Sequence, residues 1–257
     1  MKYMGSKSRI AKFILPILQN IIDKNDIEVY FEPFVGGCNV IDKIKCKERI
    51  GNDVNPYLIE LLKAHQRGLL KQLPESVSKE HYDEIRNLYN MYKDNPESNT
   101  FSNYEIWYIG AIGFLASYNG RFFDGGYSGV ITRKDGRHRD FYDEAKRNLE
   151  QQNLWGIKFY NVDYSYIHLN KNALIYCDPP YQNTKQYNYS KNFDYNKFWD
   201  YVRKMSKEHI VLVSEQNAPD DFNVIWEQPI TRSIGNRTLD KVTNQNVTEK
   251  LFTINEI

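Results

Sequence analysis

The apolar run Ala173-Leu174-Ile175-Tyr176-Cys177 stops at Asp178-Pro179-Pro180-Tyr181. Proline fixes φ and lacks an N–H, and a residue before proline is pushed out of the helical region. A strand reaching this point therefore leaves its sheet through a stiff, extended corner. The carbonyls preceding the two prolines lose their ladder partners, which sets the Asp178 carboxylate beside backbone oxygens as neighbouring acceptors. Two such acceptors match the two hydrogens of an exocyclic aromatic amine, and holding both draws the nitrogen lone pair out of ring conjugation. Tyr181 adds a face on which a base can stack. Asp-Pro-Pro alone reads equally as a stiffened turn after a strand; the aromatic residue that follows favours the amine pocket.

Strand and helix signals alternate along the rest of the chain. A strand at 28–31 runs into Glu32-Pro33-Phe34-Val35-Gly36-Gly37, and Val40, Ile41 and Ile44 then share one face of an expected helix. A second strand, 49–51, ends at Asn52-Asp53. Asn55 can cap a helix that starts at Pro56 and carries Leu58, Ile59, Leu61 and Leu62. Later strand signals lie at 158–160, before Asn161-Val162-Asp163-Tyr164, at 174–177, and at 210–213, before Ser214-Glu215. Segments 223–227 and 250–254 suit a closing hairpin-like pair. This alternation predicts an α/β fold with a largely parallel sheet, whose ligands sit beyond the carboxyl ends of the strands. Glu32, Asp53, Asp163 and Asp178 stand at those ends.

The stretch 67–148 breaks the rhythm and reads as an inserted, mainly helical module between two parts of one catalytic domain, 1–66 and 149–257. Within it Ser78 caps a helix with Tyr82, Ile85, Leu88, Tyr89 and Tyr92 on its inner face, stopped by Asp94-Asn95-Pro96; a more buried helix is expected over 103–118.

Composition narrows the function classes. At 257 residues with 41% hydrophobic content, the chain can bury a core without staples. Its three cysteines make an odd number with no C-x-x-C spacing, which predicts a reducing, cytoplasmic setting. None of the five histidines forms an H-x-x-x-H or H-x-x-E-H pair, so no metal is expected. The longest apolar stretch, 106–116, falls short of a bilayer span. Residues 1–22 lack a signal-peptide pattern because Pro16, Gln19 and Asn20 interrupt them and no cleavage site follows. A net charge of +1 means that any nucleic-acid binding must come from local clustering.

Three further segments carry chemistry. Gly36 and Gly37 let backbone approach a ligand, and with Asp53, placed where a ribose diol is bound in nucleoside sites, they point to an adenosine-containing cofactor; alone they describe a tight turn. Lys2-Tyr3-Met4-Gly5-Ser6-Lys7 is either a solvated helix entry or a loop that brings Tyr3 against the cofactor and Lys7 to an amino-acid carboxylate. From Asn119 to Arg139, turn glycines and Phe122, Phe123 and Tyr127 are interleaved with Arg121, Arg133, Lys134, Arg137 and Arg139. That mixture offers cations for phosphates, a guanidinium for a guanine edge and a ring for a wedge, although Asp124, Asp135, Asp140 and Asp143 equally suit a solvated charged loop.

In their order along the chain, Lys2-Tyr3-Met4-Gly5-Ser6-Lys7, Glu32-Pro33-Phe34-Val35-Gly36-Gly37, Asn52-Asp53-Val54-Asn55-Pro56, Asp178-Pro179-Pro180-Tyr181 and Thr248-Glu249-Lys250-Leu251-Phe252 resemble the D12 class of DNA adenine-N6 methyltransferases, especially a branch common in phages and bacteria. The resemblance runs essentially end to end. It implies a Rossmann-like methyltransferase sheet, S-adenosylmethionine as cofactor, and an insertion that recognises double-stranded DNA. Tyr3, Lys7, Asp53 and Asp178 fall on its cofactor positions, Pro33, Phe34 and Gly36 line the same site, and Asp163 with Tyr164 meet the cofactor's adenine. Asp178, Pro179, Pro180 and Tyr181 become the catalytic motif, acting on an adenine flipped from the duplex. Asn119-Gly120-Arg121 approaches the family's Asn-Gly-x-x-Arg-like segment, but its arginine arrives earlier and the following hairpin is differently composed, so a GATC target does not transfer. A soluble monomer is expected, with room for a cognate restriction endonuclease as partner. Cytosine-N4 methylation, methylation of RNA or a protein glutamine, and a binding protein without turnover are the rival readings.

Overall fold

The computed structural model describes residues 1–3, 5–93, 103–133, 135–181, 193–235 and 242–256. Helix α1 (Ala11–Lys24) precedes strand β1 (Val29–Glu32), which is buried throughout. Instead of the helix expected on Val40, Ile41 and Ile44, the chain makes a single 3-10 turn, Ile41–Lys43, and is extended again at Ile44. Left-handed backbone at Gly36 and Cys38 spends the start of this short crossover on a tight turn, and β-branched Val40, Ile41 and Ile44 are weak helix formers. Strand β2 (Glu48–Asn52) leads into α2 (Pro56–Gln66), where the Asn55 side chain caps the N–H groups of Tyr57 and Leu58 and Pro56 occupies the first turn, as the sequence predicts.

In the insertion, α3 (Lys79–Tyr92) is capped by Ser78, and Tyr82, Ile85 and Tyr89 are buried; the Asp94-Asn95-Pro96 stop lies outside the described residues. Helix α4 (Asn103–Leu115) ends before 118, because Ser117 pairs with Tyr127 in an isolated bridge and Asn119 turns left-handed. Strands β3 (Val130–Thr132) and β4 (His138–Asp140) form a small antiparallel hairpin before α5 (Phe141–Glu150). The chain then supplies β5 (Ile157–Tyr160), β6 (Ala173–Cys177), α6 (Tyr195–Met205) and β7 (Ile210–Glu215), and closes with β8 (Asn223–Gly235) against β9 (Val242–Thr253). That last pair is far longer than the short closing pair expected at 223–227 and 250–254.

The seven-stranded sheet has the order β5-β2-β1-β6-β7-β9-β8, parallel from β5 to β7 and antiparallel at β9 and β8. From β1 the chain moves outward to β2 and β5, then returns to place β6 on the other side of β1. The gap between the carboxyl ends of β1 and β6 is therefore the topological switch point, where open α/β sheets leave a crevice.

Strand alternation feeds two apolar layers. Tyr30, Leu174, Tyr176 and Leu212 pack with α1, α2 and the insertion, including Tyr82, Trp107 and Ile112. Val29, Phe31, Ile175, Val211 and Val213 pack with Phe198 and Val202 of α6. Each fully buried Leu, Ile, Val or Phe contributes about 1.5–3 kcal/mol, so a slip of one residue in β6, which exchanges the faces, is strongly disfavoured. The helices of the insertion thus share a continuous core with α1 and α2.

Candidate active site

A cavity of about 1590 Å³ opens at the switch point, and both halves of the expected site line it. A small-molecule site is typically about 300–1,000 Å³, so the space suits a cofactor and a second reactant together.

One end of the cavity belongs to β1, β2 and the segment after β5. Gly36, at φ 46°, carries its N–H to Asp53 Oδ2 (3.2 Å), and Asn55 N–H donates to Asp53 Oδ1 (3.0 Å). A Cβ on Gly36 would stand 3.1 Å from the Tyr3 ring, which packs on this turn. Burial pushes the Asp53 carboxyl up to about 6, with the Asn55 and Gly36 N–H groups pulling the other way. Its carboxylate lies half-buried on the cavity wall. Phe34 meets Tyr164 (5.1 Å between centroids), Phe193 (5.7 Å) and Phe198 (5.8 Å), an aromatic wall suited to a flat heterocycle. Asp163 caps the turn Tyr164–Tyr166 through Ser165 N–H and holds Lys197 at 3.6 Å. Burial raises the Asp163 carboxyl, but Ser165 and Lys197 outweigh it and leave it below the usual range.

The other end is the Asp178 corner beyond β6. Pro180's carbonyl accepts the Tyr195 hydroxyl (2.9 Å), which anchors the corner on α6. Lys7, only 8% exposed, stands 2.8 Å from Asp178 Oδ1 and 3.1 Å from Glu249 Oε1, with its ammonium 4.2 Å from the Tyr181 ring centroid. The Tyr181 hydroxyl lies against both Lys7 and Glu249. Burial works to lower the Lys7 pKa, but the Asp178 and Glu249 carboxylates overcome it and hold the ammonium charged well above its ordinary range. Lys7, expected at a cofactor carboxylate, is thus paired with the Asp178 corner itself and stands against the Tyr181 hydroxyl.

Sequence reasoning gave Glu249 a place in a motif but no role, and it missed Lys197 and Phe193 entirely. It also missed Tyr30, whose hydroxyl donates to Glu32 (2.8 Å); burial holds the Glu32 carboxyl far above its ordinary range. Both residues stand two apart on β1, so their shared face was a local signal that the sequence offered.

The expected DNA face is rearranged. Phe122 and Phe123 are buried beneath Gly113 and pack on Tyr89, so neither is a wedge; the exposed ring at this corner is Tyr118, 45% exposed. Asn119 and Arg121 line the cavity, and Arg121 Nε is buried with no hydrogen-bond partner among the described residues. Arg133 is exposed at the hairpin, Arg137 is held by Asp135 (2.6 Å), and Arg139 pairs with Glu144 (2.7 Å). Lys134 lies outside the described residues, as does Met4. Exposed Arg9 and Lys12, which the sequence did not single out, also line the cavity and make no ion pair among the described residues. Among those residues no three His, Cys, Asp or Glu side chains gather as a metal site, and no helix is long and apolar enough to cross a membrane.

A parallel sheet with its crevice at the switch point, an acid at the end of β2 and Asp-Pro-Pro-Tyr at the end of β6 define a Rossmann-like methyltransferase architecture. The family model for D12 class N6 adenine-specific DNA methyltransferases matches residues 3–223, and the chain belongs to that family. It is similar to the type II methyltransferase M.FokI of Planomicrobium okeanokoites, 23% identical over 209 residues that cover 73% of this chain and 30% of that protein. It is also similar to the modification methylase StsI of Streptococcus sanguinis, 26% identical over 206 residues, covering 73% of this chain and 29% of the relative. The chain thus matches about a third or less of the length of these curated relatives.

Proposed function

We propose that this chain transfers a methyl group from S-adenosylmethionine to the N6 amine of an adenine flipped out of duplex DNA. One observation carries the reading: a single cavity joins the Asp53, Phe34 and Asp163 end to the Asp178-Pro179-Pro180-Tyr181 corner across the switch point. The donor set fits the cofactor. Asp53 offers two carboxylate oxygens to a ribose diol, and Phe34 with Tyr164 presents ring surface to an adenine, with Asp163 beside it. Bound there, the cofactor supplies an electrophilic methyl group.

The chain's own residues do the rest. Asp178 and the Pro179 carbonyl accept the two N–H hydrogens of the target amine, which localises its lone pair, and Asp178 or solvent takes the proton released on methylation. Tyr181 supports the base. Flipping costs a few kcal/mol, whereas oriented reactants can remove about 7–11 kcal/mol from a barrier, so positioning outweighs extrusion. Incubation with duplex DNA and methyl-labelled cofactor, followed by nucleoside analysis, tests the reading: labelled N6-methyldeoxyadenosine is expected, and label only on cytosine, or none on DNA, overturns it.

Cofactor affinity should depend on pH through Asp53. Two hydroxyl donors favour its ionised form, so binding is full above the pKa of about 6 and weakens about tenfold per unit below it. Calorimetric titration between pH 5 and 8 should show this decline in the wild type and a flat, weaker profile in Asp53→Asn; a flat wild-type profile moves the diol elsewhere.

For the DNA face, Arg133→Ala should lower the slope of log affinity against log salt by about 0.9, the value for one phosphate contact. Arg137→Ala should change it less, since Asp135 already holds that guanidinium. Equal slopes for Arg133→Ala and wild type in a fluorescence-anisotropy series would take the hairpin out of the interface.

A further inference from the structure

Glu249 is 1% exposed on β9, next to β7, and its Oε1 accepts the Ser214 hydroxyl at 2.7 Å as well as facing Lys7 and Tyr181. It is therefore held in place from behind while facing the catalytic corner. Lys7 meanwhile binds the same Asp178 carboxylate that a target amine needs, and its ammonium stands against the Tyr181 hydroxyl, 4.2 Å from the ring centroid. The corner is guarded by the protein's own cation.

A buried ammonium cannot simply leave its only counter-ion, because an unpaired charge in such a place costs several kcal/mol. Here a second carboxylate stands 3.1 Å away, so Lys7 can shift its weight from Asp178 to Glu249 without losing compensation.

We propose that Glu249 is a positioning residue: it provides the alternative station for Lys7 that frees Asp178 to accept the target amine, and it fixes the Tyr181 hydroxyl during the exchange. This inference rests on the methyltransferase reading. Without Glu249, Lys7 stays on Asp178 and competes with the substrate. Without Lys7 there is nothing to draw off, and Glu249 has no role in the exchange.

A double-mutant cycle in single-turnover methyl transfer, at saturating cofactor and DNA, separates this from a structural role. Glu249→Gln should slow transfer about tenfold in the wild-type background and leave the rate unchanged or faster in Lys7→Met. Ser214→Ala, which loosens the Glu249 carboxylate without removing a charge, should give a smaller loss that also disappears in Lys7→Met, and it carries the test if Glu249→Gln does not fold by circular dichroism. Losses of equal size in both backgrounds overturn the inference, as does the absence of any loss in the wild-type background. A Lys7→Met enzyme with no measurable transfer overturns it too, because the ammonium would then be a participant rather than a guard. The wild type is assayed first: if it places no methyl on adenine, the functional reading itself fails, whereas an active wild type with an additive cycle removes only the role of Glu249.

Discussion

Asp178→Ala should reduce methyl transfer at least about 10³-fold, because removing one preorganised polar group aimed at the reacting centre costs about 10²–10³ in rate and this one also carries charge. Under the proposed mechanism, the change deletes one of the two acceptors that localise the amine lone pair and the anion nearest the nitrogen as it becomes cationic. Asp178→Asn separates these contributions. Its amide oxygen can still accept a hydrogen bond, but the charge is gone and its NH₂ faces the donors of Lys7, so an intermediate loss is expected. Both belong in single-turnover assays at saturating cofactor and DNA, so that weakened binding does not enter the rate. Asp178→Ala within tenfold of wild type would mean that another group holds the amine, and the corner would lose its catalytic assignment.

The features legible in the sequence are those with local causes. Proline chemistry marks the end of β6 at Asp178, side-chain capping marks α2 at Asn55, and a glycine turn marks the exit from β1. The acids at the strand ends follow from the alternation, since a parallel sheet points its carboxyl ends one way. What failed needed partners from far along the chain. Lys7 read either as a solvated entry to a helix or as a cofactor contact, and the first reading misses its counter-ions, Asp178 and Glu249, which arrive from the end of β6 and from β9. Phe122 and Phe123 looked like surface rings because arginine and glycine flank them, yet Gly113 makes room for both inside. The β8–β9 extension was invisible for a different reason. Beyond Gln228 it pairs Thr231 with Asn246 and Arg232 with Gln245, at the edge of the sheet, so no apolar face announces a strand.

The shared core makes a second large effect expected at Gly110, in the middle of α4. Replacing a helical glycine by alanine ordinarily stabilises a helix by about 1 kcal/mol. At Gly110, however, the added Cβ would lie 2.2 Å from the carbonyl oxygen of Tyr57 and 3.0 Å from its carbon, distances that no rotamer relieves because the obstacle is backbone. Either α4 or the first turn of α2 must move. Overpacking costs about 1–3 kcal/mol and more when backbone shifts, so the clash wins and a net loss of about 2 kcal/mol is expected. For a chain of this size that corresponds to a melting temperature lower by about 4–8 °C. The consequence reaches the site: Tyr57 follows the Asn55 cap whose N–H holds Asp53, and α4 leads into Asn119 and Arg121 on the cavity wall. Gly110→Ala should therefore also weaken cofactor binding in the fraction that remains folded, measured by titration well below the melting midpoint. A variant as stable as the wild type would place α4 farther from α2, and the close seam between the insertion and the sheet's helices would not exist.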